Sequence, residues 1–438
     1  MLQQLRQRLD RVGRPFSSLL FSDALMLLAI MVGHIAMPWW VAHRGGAAHL
    51  AIFAVVGAVA SVLTMLLLSP LGDRHAKGNL ISVSLLVLAG QALLLALLAS
   101  LDLYHLPLIL LLQVLGAAAT AVMTPASLSI VAELVSSERI ADALALKKSA
   151  QAIGRLIGPV LGGALLAAAG TAPALWLHCA LLLGAALLAR RIPRQARPPG
   201  DQKSASWLSE LRMGVLVKWK IPLERGWTLV NFVVCICFMP AVGMLLPLKV
   251  QSLHLSAAWL GACEAALSVG LLAGALGISA QIAHHIGRYP ARLGGLLVQG
   301  AALALAGWLS QPHILVLMFF VVGVGLSLVQ LVGQTHRLLA IPDDYRGRMT
   351  AVNMMTIQVA NSLGPALAGI ALLHFGVAEV YMAAGIGVLL CTAGYLLVPG
   401  YAQFLALDHD AVSNWYGRNY PELFQQPGIQ RGGQGLSE

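Results

Sequence analysis

Charge is scarce in this chain. Asp, Glu, Lys and Arg make up 11% of its 438 residues, against 58% hydrophobic residues. One or two soluble domains cannot be built from that ratio, so the composition points to a polytopic chain solvated by lipid. Cysteine is scarce too. Cys179, Cys235, Cys237, Cys263 and Cys391 each lie inside an apolar run, which supports neither a disulfide framework nor a zinc site. The long apolar runs lack the period-two alternation of a membrane barrel, so the spanning elements are expected to be helices. No Gly-x-x-x-x-Gly-Lys-Ser loop occurs, which leaves an ion gradient rather than ATP as the ready energy source. No soluble catalytic constellation stands out. No enzyme activity, cofactor or metal is expected.

What is present is a series of apolar runs, each near the roughly 20 residues of a spanning helix. Twelve are read, at about 17–41, 48–71, 79–101, 106–132, 143–169, 172–189, 227–249, 256–283, 291–310, 313–333, 349–374 and 378–400. An even count puts both termini on one side. Basic residues crowd the segments on that side, from Arg6, Arg8, Arg11 and Arg14 to Arg346 and Arg348, while only Arg44 and Lys249 fall opposite. That asymmetry places both termini in the cytoplasm. It also accounts for the net charge of +10 without nucleic acid. The longest loop is rich in Pro, Lys and Arg and divides the runs six and six. Within it Trp207, Leu208, Leu211, Val215 and Trp219 recur near helical spacing, as a surface helix would. The expected organisation is an N-terminal cytoplasmic segment 1–16, a six-helix half 17–189, a cytoplasmic linker 190–226, a second half 227–400 and a cytoplasmic tail 401–438. In the tail Tyr416, Tyr420, Pro421 and Phe424 suggest partial order, while Gln425 to Glu438 reads as disordered.

The chain is organised around Gly154-Arg155-Leu156-Ile157-Gly158-Pro159-Val160-Leu161-Gly162-Gly163. Gly154, Gly158 and Gly162 recur every four residues and share one helix face, where another backbone can approach closely. Pro159 removes a backbone donor and bends the helix. Leu156 to Gly163 is echoed by Ser362-Leu363-Gly364-Pro365-Ala366-Leu367-Ala368-Gly369, as two six-helix repeats would produce. The Gly-Pro pattern resembles the antiporter motif of drug–proton exporters in the major facilitator superfamily. The loop Ser69 to Gly78 resembles that superfamily's gate loop at Asp73, Arg74 and Lys77, with Ser69 and Ala76 in place of glycines. Thr124-Pro125-Ala126, Glu138-Arg139-Ile140-Ala141-Asp142 and Pro342-Asp343-Asp344-Tyr345-Arg346-Gly347-Arg348 look like the branch that holds the enterobactin exporter and macrolide efflux proteins. Ala76-Lys77-Gly78 is also similar to the bacterial lysophospholipid transporter. The resemblance implies an all-α membrane protein of twelve helices in two six-helix repeats, alternating access, and span five facing span eight.

Polar groups inside the spans are the functional candidates. Asp23 and His34 lie in span one, Arg155 in span five and Glu264 in span eight, and these four are read as a proton-coupling charge network. Arg155 is expected to pair with Glu264 or Asp23. Gln113, Gln151, Asn231, Gln330, Asn353, Gln358 and Asn361 are candidates to line a substrate cavity, though each could instead be a helix–helix contact.

The sequence therefore reads as a proton-coupled antiporter of the bacterial inner membrane. It would export an amphipathic small molecule, siderophore or drug-like, and act as a monomer whose partners are substrate, protons and bilayer. A lysophospholipid flippase on the same fold is the first alternative, and a non-transporting receptor or scaffold the second.

Overall fold

The computed structural model describes residues 14–68, 76–135, 140–192 and 207–424. Asp73 and Arg74 of the expected gate loop, and the segment 425–438, lie outside the described residues. Helix accounts for 89% of the structure, and the described residues hold no strand. Helices suit lipid because most of their backbone groups are satisfied within the element.

α1 (Arg14–Leu68) is two limbs joined at Gly46, whose φ of 66° and ψ of −165° suit glycine and few other residues. α2 (Lys77–Ser100), α3 (Leu106–Ser129), the short α4 (Val131–Leu134), α5 (Ile140–Ala169) and α6 (Thr171–Ala189) complete a first half. α7 (Trp207–Lys220) is the expected linker helix. α8 (Pro222–Val242), α9 (Leu245–Ser252) and α10 (Ala257–Ala273) follow. A π-turn (Gly274–Ile278) carries α10 into α11 (Ser279–Ile286). α12 (Arg288–Trp308), α13 (Pro312–Ala340), α14 (Asp343–Ala371) and α15 (Val377–Leu396) end the second half. Proline sits in the first turn of α3, α8 and α13, where its missing N–H costs nothing.

Nine helical stretches among the described residues are long and apolar enough to cross a membrane. The first, Pro15–Met65, contains both limbs of α1. α5 and α14 are 30 and 29 residues long but less apolar.

Three apolar cores hold the bundle. One is shared between the halves, with Ile35, Trp40, Phe53 and Leu166 packed among Phe238, Leu246, Leu260 and Phe319. The other two belong to one half each. Phe16, Leu19, Ile81 and Met123 form the first. Trp227, Tyr345, Tyr395, Tyr401 and Phe404 form the second. The first limb of α1 runs from its own half's core at Phe16 to the shared core at Trp40. α8 does the same from Leu223 to Ala241. The shared core therefore lies at one end of the bundle, here the far end. The separate cores lie at the other, here the tail end. Apolar burial, the main cohesive term, binds the halves at the far end. At the tail end each half instead packs on a core of its own.

The two halves repeat the same packing. The Gly158 face of α5 meets the first limb of α1 at Leu28 and Met31. The Gly364 face of α14 meets α8 at Ile236 and Pro240.

Beyond α15, the chain folds into four short helices: α16 (Tyr401–Ala406), α17 (His409–Val412), α18 (Trp415–Asn419) and α19 (Pro421–Phe424). Tyr401, Phe404, Leu405, Val412 and Tyr416 are buried against the second half. The tail is thus docked as far as Phe424.

Candidate functional site

The halves meet along two seams, α1 with α14 and α5 with α10, and the second carries the charged candidates. Gly154, Gly158 and Gly162 face the first limb of α1. Gly163 turns to the other half instead. A Cβ added there would lie 2.6 Å from the Gly261 Cα of α10. Small residues on both helices let the backbones touch. Pro159 has no N–H to give to the Arg155 carbonyl one turn earlier. The Ser268 hydroxyl of α10 donates to that carbonyl across the seam at 3.3 Å. One proline thus frees an acceptor that is used across the seam.

Glu264 lies on the same face of α10 as Gly261 and Ser268, at the level of Pro159. It is half-buried. The Arg155 side chain is exposed. Since Ser268 is level with Arg155, Glu264 is one turn away, about 6 Å by helical rise. No ion pair joins them, and no described carboxylate pairs with Arg155.

Asp23 corrects one expectation. Its partner is not Arg155 but Lys147 of α5, at 2.8 Å. Lys147 also donates to the Ser127 carbonyl and hydroxyl, both at 2.7 Å, and the Ser127 hydroxyl donates to Asp23 at 3.3 Å. Asp23 is 3% and Lys147 5% exposed. A buried pair needs further hydrogen bonds to offset its desolvation, and Ser127 supplies them to Lys147 and to Asp23 Oδ1. Lys147 lies about two turns inside α5, near enough to the loop for its charge to read from sequence as an orientation signal.

His34 and His178 line a cavity of about 280 Å³ within the first half, together with Gln91 and Gln113. His178 Nδ1 is 2.7 Å from the Ala29 carbonyl. His34 is exposed to this cavity.

The second half holds a network that the sequence reading missed. Glu224 is fully buried in the first turn of α8. It accepts from Arg337 Nε at 2.8 Å, from Arg337 Nη2, and from the Tyr416 hydroxyl of the tail at 2.8 Å. Arg337 Nη1 reaches Asn353 Oδ1 at 2.8 Å. In sequence Glu224 is an acid in the first turn of a helix, a place the helix dipole alone explains. Arg337 had the look of an orientation charge.

Lys218 of the linker helix is 3% exposed and donates to Asn353 at 3.4 Å. Burial, then the nearby Arg337 cation, lowers its pKa to about 7, with Glu224 opposing. The unfolded chain takes up the proton near the ordinary value of 10.5. Folding then costs more as pH falls from there, and the full cost is reached below about 7. Lys218→Met should therefore raise the melting midpoint more at pH 6 than at pH 10. An equal change at both would show that Lys218 is not held in this way.

The other candidates are dispersed. Asn231, Gln330 and Asn353 line a second-half pocket. Asn361 donates to Gln358 within α14 at 3.0 Å. Gln151 is half-buried on α5. Lys77 pairs with Glu133 at 2.6 Å. Lys249, expected on the surface opposite the termini, is 2% exposed, with Nζ donating to the Gly307 carbonyl at 2.6 Å. Its long apolar stem packs inward while the head finds a carbonyl.

Two helical halves that share a core at one end and keep separate cores at the other, with apolar helices long enough to span a bilayer, have the make-up of a multi-pass membrane transporter. The sequence profile of the Major Facilitator Superfamily matches residues 19–365 and 282–403, and the chain belongs to that superfamily. No curated relative matches it. Among solved structures it is similar to a bacterial homolog of the human lysosomal transporter Spinster in an inward-facing, unoccupied conformation. Identity is 14% and TM-score 0.64, over 95% of this chain and 100% of that one. It is also similar to the nucleoside transporter NupG, at 13% identity and TM-score 0.69 over 88% and 99%. A POT family transporter in complex with 5-aminolevulinic acid gives 11% and 0.69 over 92% and 99%. At these identities the likeness is one of fold.

Proposed function

We propose that this transporter is a proton-coupled exporter of an amphipathic small molecule in a bacterial inner membrane. It crosses the membrane twelve times, works as a monomer, and keeps both termini and the tail end of the bundle on the cytoplasmic side. The observation that carries the reading is Glu264. A carboxylate stands on the seam between the halves, one turn from the exposed Arg155, and no described cation pairs with it. A carboxylate within a span is costly unless it has a task. A group on the moving seam meets one face of the membrane in one state and the opposite face in the other, which is what proton exchange requires. Asp23, locked to Lys147, serves as a structural anchor instead. The Gly-Pro motif sets how closely α5 and α10 close.

The test is Glu264→Gln in proteoliposomes with an imposed pH gradient. The variant should fold and insert as the wild type does and lose gradient-driven accumulation of amphipathic cargo. Accumulation equal to wild type removes Glu264 from coupling. Movement of lysophospholipid that ignores the gradient in both proteins favours a flippase.

A further inference from the structure

Arg292 is a buried guanidinium without a counter-ion. It lies in the first turns of α12, 3% exposed, and no described carboxylate is within ion-pairing distance. Glu224, the carboxylate of this region, is already engaged by Arg337 and Tyr416. Arg292 Nη1 donates to the Val329 carbonyl at 2.6 Å and Nη2 to the Tyr395 hydroxyl at 3.3 Å. Its plane rests against Trp227, 4.9 Å from the ring centre. These contacts hold the fork in place but bring no negative charge. Nε has no partner.

Seven residues on, on the same face of α12, Gln299 is 2% exposed, and its Nε2 also has no partner. Both side chains line one pocket of about 140 Å³, together with the amides of Asn231, Gln330 and Gln334. Gln330 and Gln334 are exposed and mark its mouth. The wall is cut to fit the guanidinium. A Cβ at Gly333 would lie 1.7 Å from Arg292 Nη1. Leaving a buried charge and a buried amide unsatisfied is costly. Here both free groups are donors and one belongs to a permanent cation. An oxyanion in that pocket offers acceptors to the free donors and a negative charge to the cation. The volume admits an acidic group and not a whole amphiphile.

We propose that Arg292 and Gln299 bind an oxyanion, carboxylate or phosphate, as the acidic group of the transported molecule. This deepens the transporter reading and rests on it, since a free inorganic anion offers the same chemistry.

The experiment uses the full chain in phosphatidylcholine nanodiscs. Dissociation constants are measured for octyl phosphate, inorganic phosphate and octanol with the wild type, Arg292→Lys and Gln299→Ala. Octyl phosphate should bind saturably, and each variant should weaken it about tenfold, as loss of a charge-assisted hydrogen bond implies. Octanol should not separate the three proteins. Inorganic phosphate bound as tightly as octyl phosphate supports the site with a free anion as its source. Weaker inorganic phosphate supports an amphiphile's acidic group. Octyl phosphate that binds all three proteins alike, or none, overturns the proposal. If Arg292→Lys does not fold, Gln299→Ala alone decides. Flux into proteoliposomes is measured separately. Octyl phosphate that binds in the expected pattern but never crosses supports the site and counts against the export reading.

Discussion

Gly261→Val is expected to depopulate the state in which the halves are closed at the far end. A Cβ at Gly261 would lie 2.7 Å from the Pro159 carbonyl and 2.8 Å from the Gly163 Cα. Both are backbone atoms, so no change of rotamer relieves the clash. α5 and α10 must separate, and the shared core must open with them. Overpacking of this kind costs about 1–3 kcal/mol. About 2 kcal/mol moves a two-state balance roughly thirtyfold. Spin labels at Leu103 and Phe375, exposed in far-end loops of the two halves, provide the measurement. The variant should gain a longer distance and lose transport. A distance distribution identical to wild type would show that the glycine contact does not set the closed state.

Glu224→Ala should produce the largest loss of stability. It removes the only described anion paired with Arg337 and leaves that guanidinium buried. Breaking one side of such a pair costs about 3–5 kcal/mol. Replacing both residues, as in Glu224→Leu with Arg337→Leu, should recover most of the loss, because the stranded charge goes too. Tyr416→Phe removes a hydrogen bond to a carboxylate, about 1.5–3 kcal/mol, and should free the tail for proteolysis before the rest unfolds. Melting midpoints in detergent test the series. Glu224→Ala melting with the wild type would remove the network from the stability of the fold.

The helical fold was legible because lipid leaves the chain few choices. Long apolar runs without period-two alternation are a local signal. The Gly-Pro stretch was legible in the same way. Glycines at 154, 158 and 162 share a face by arithmetic alone, and that face meets α1. What the sequence could not show was which residue Gly163 would touch, since Gly261 is a single glycine with no repeat around it. Charge pairing was less legible still. Asp23 and Lys147 lie on helices far apart in the chain. Lys147, Arg292 and Arg337 all sit within a few turns of a loop, where a basic residue already had an explanation in orientation. One explanation hid the other. Tyr416 was noticed as a sign of order, but its target, Glu224, is fixed only when the tail folds back on α8.

That fold-back has a practical consequence. Every buried residue of the core that the tail joins, apart from the tail's own, lies between Val217 and Val398, so the segment 401–424 is a stiff handle attached to one half alone. A fluorophore on Asn419, exposed on that handle, would travel with the second half. A second fluorophore on Arg191, exposed at the end of α6, would stay with the first. Energy transfer between the two would then serve as a gauge of the transport cycle, read from outside the bilayer without touching the seam.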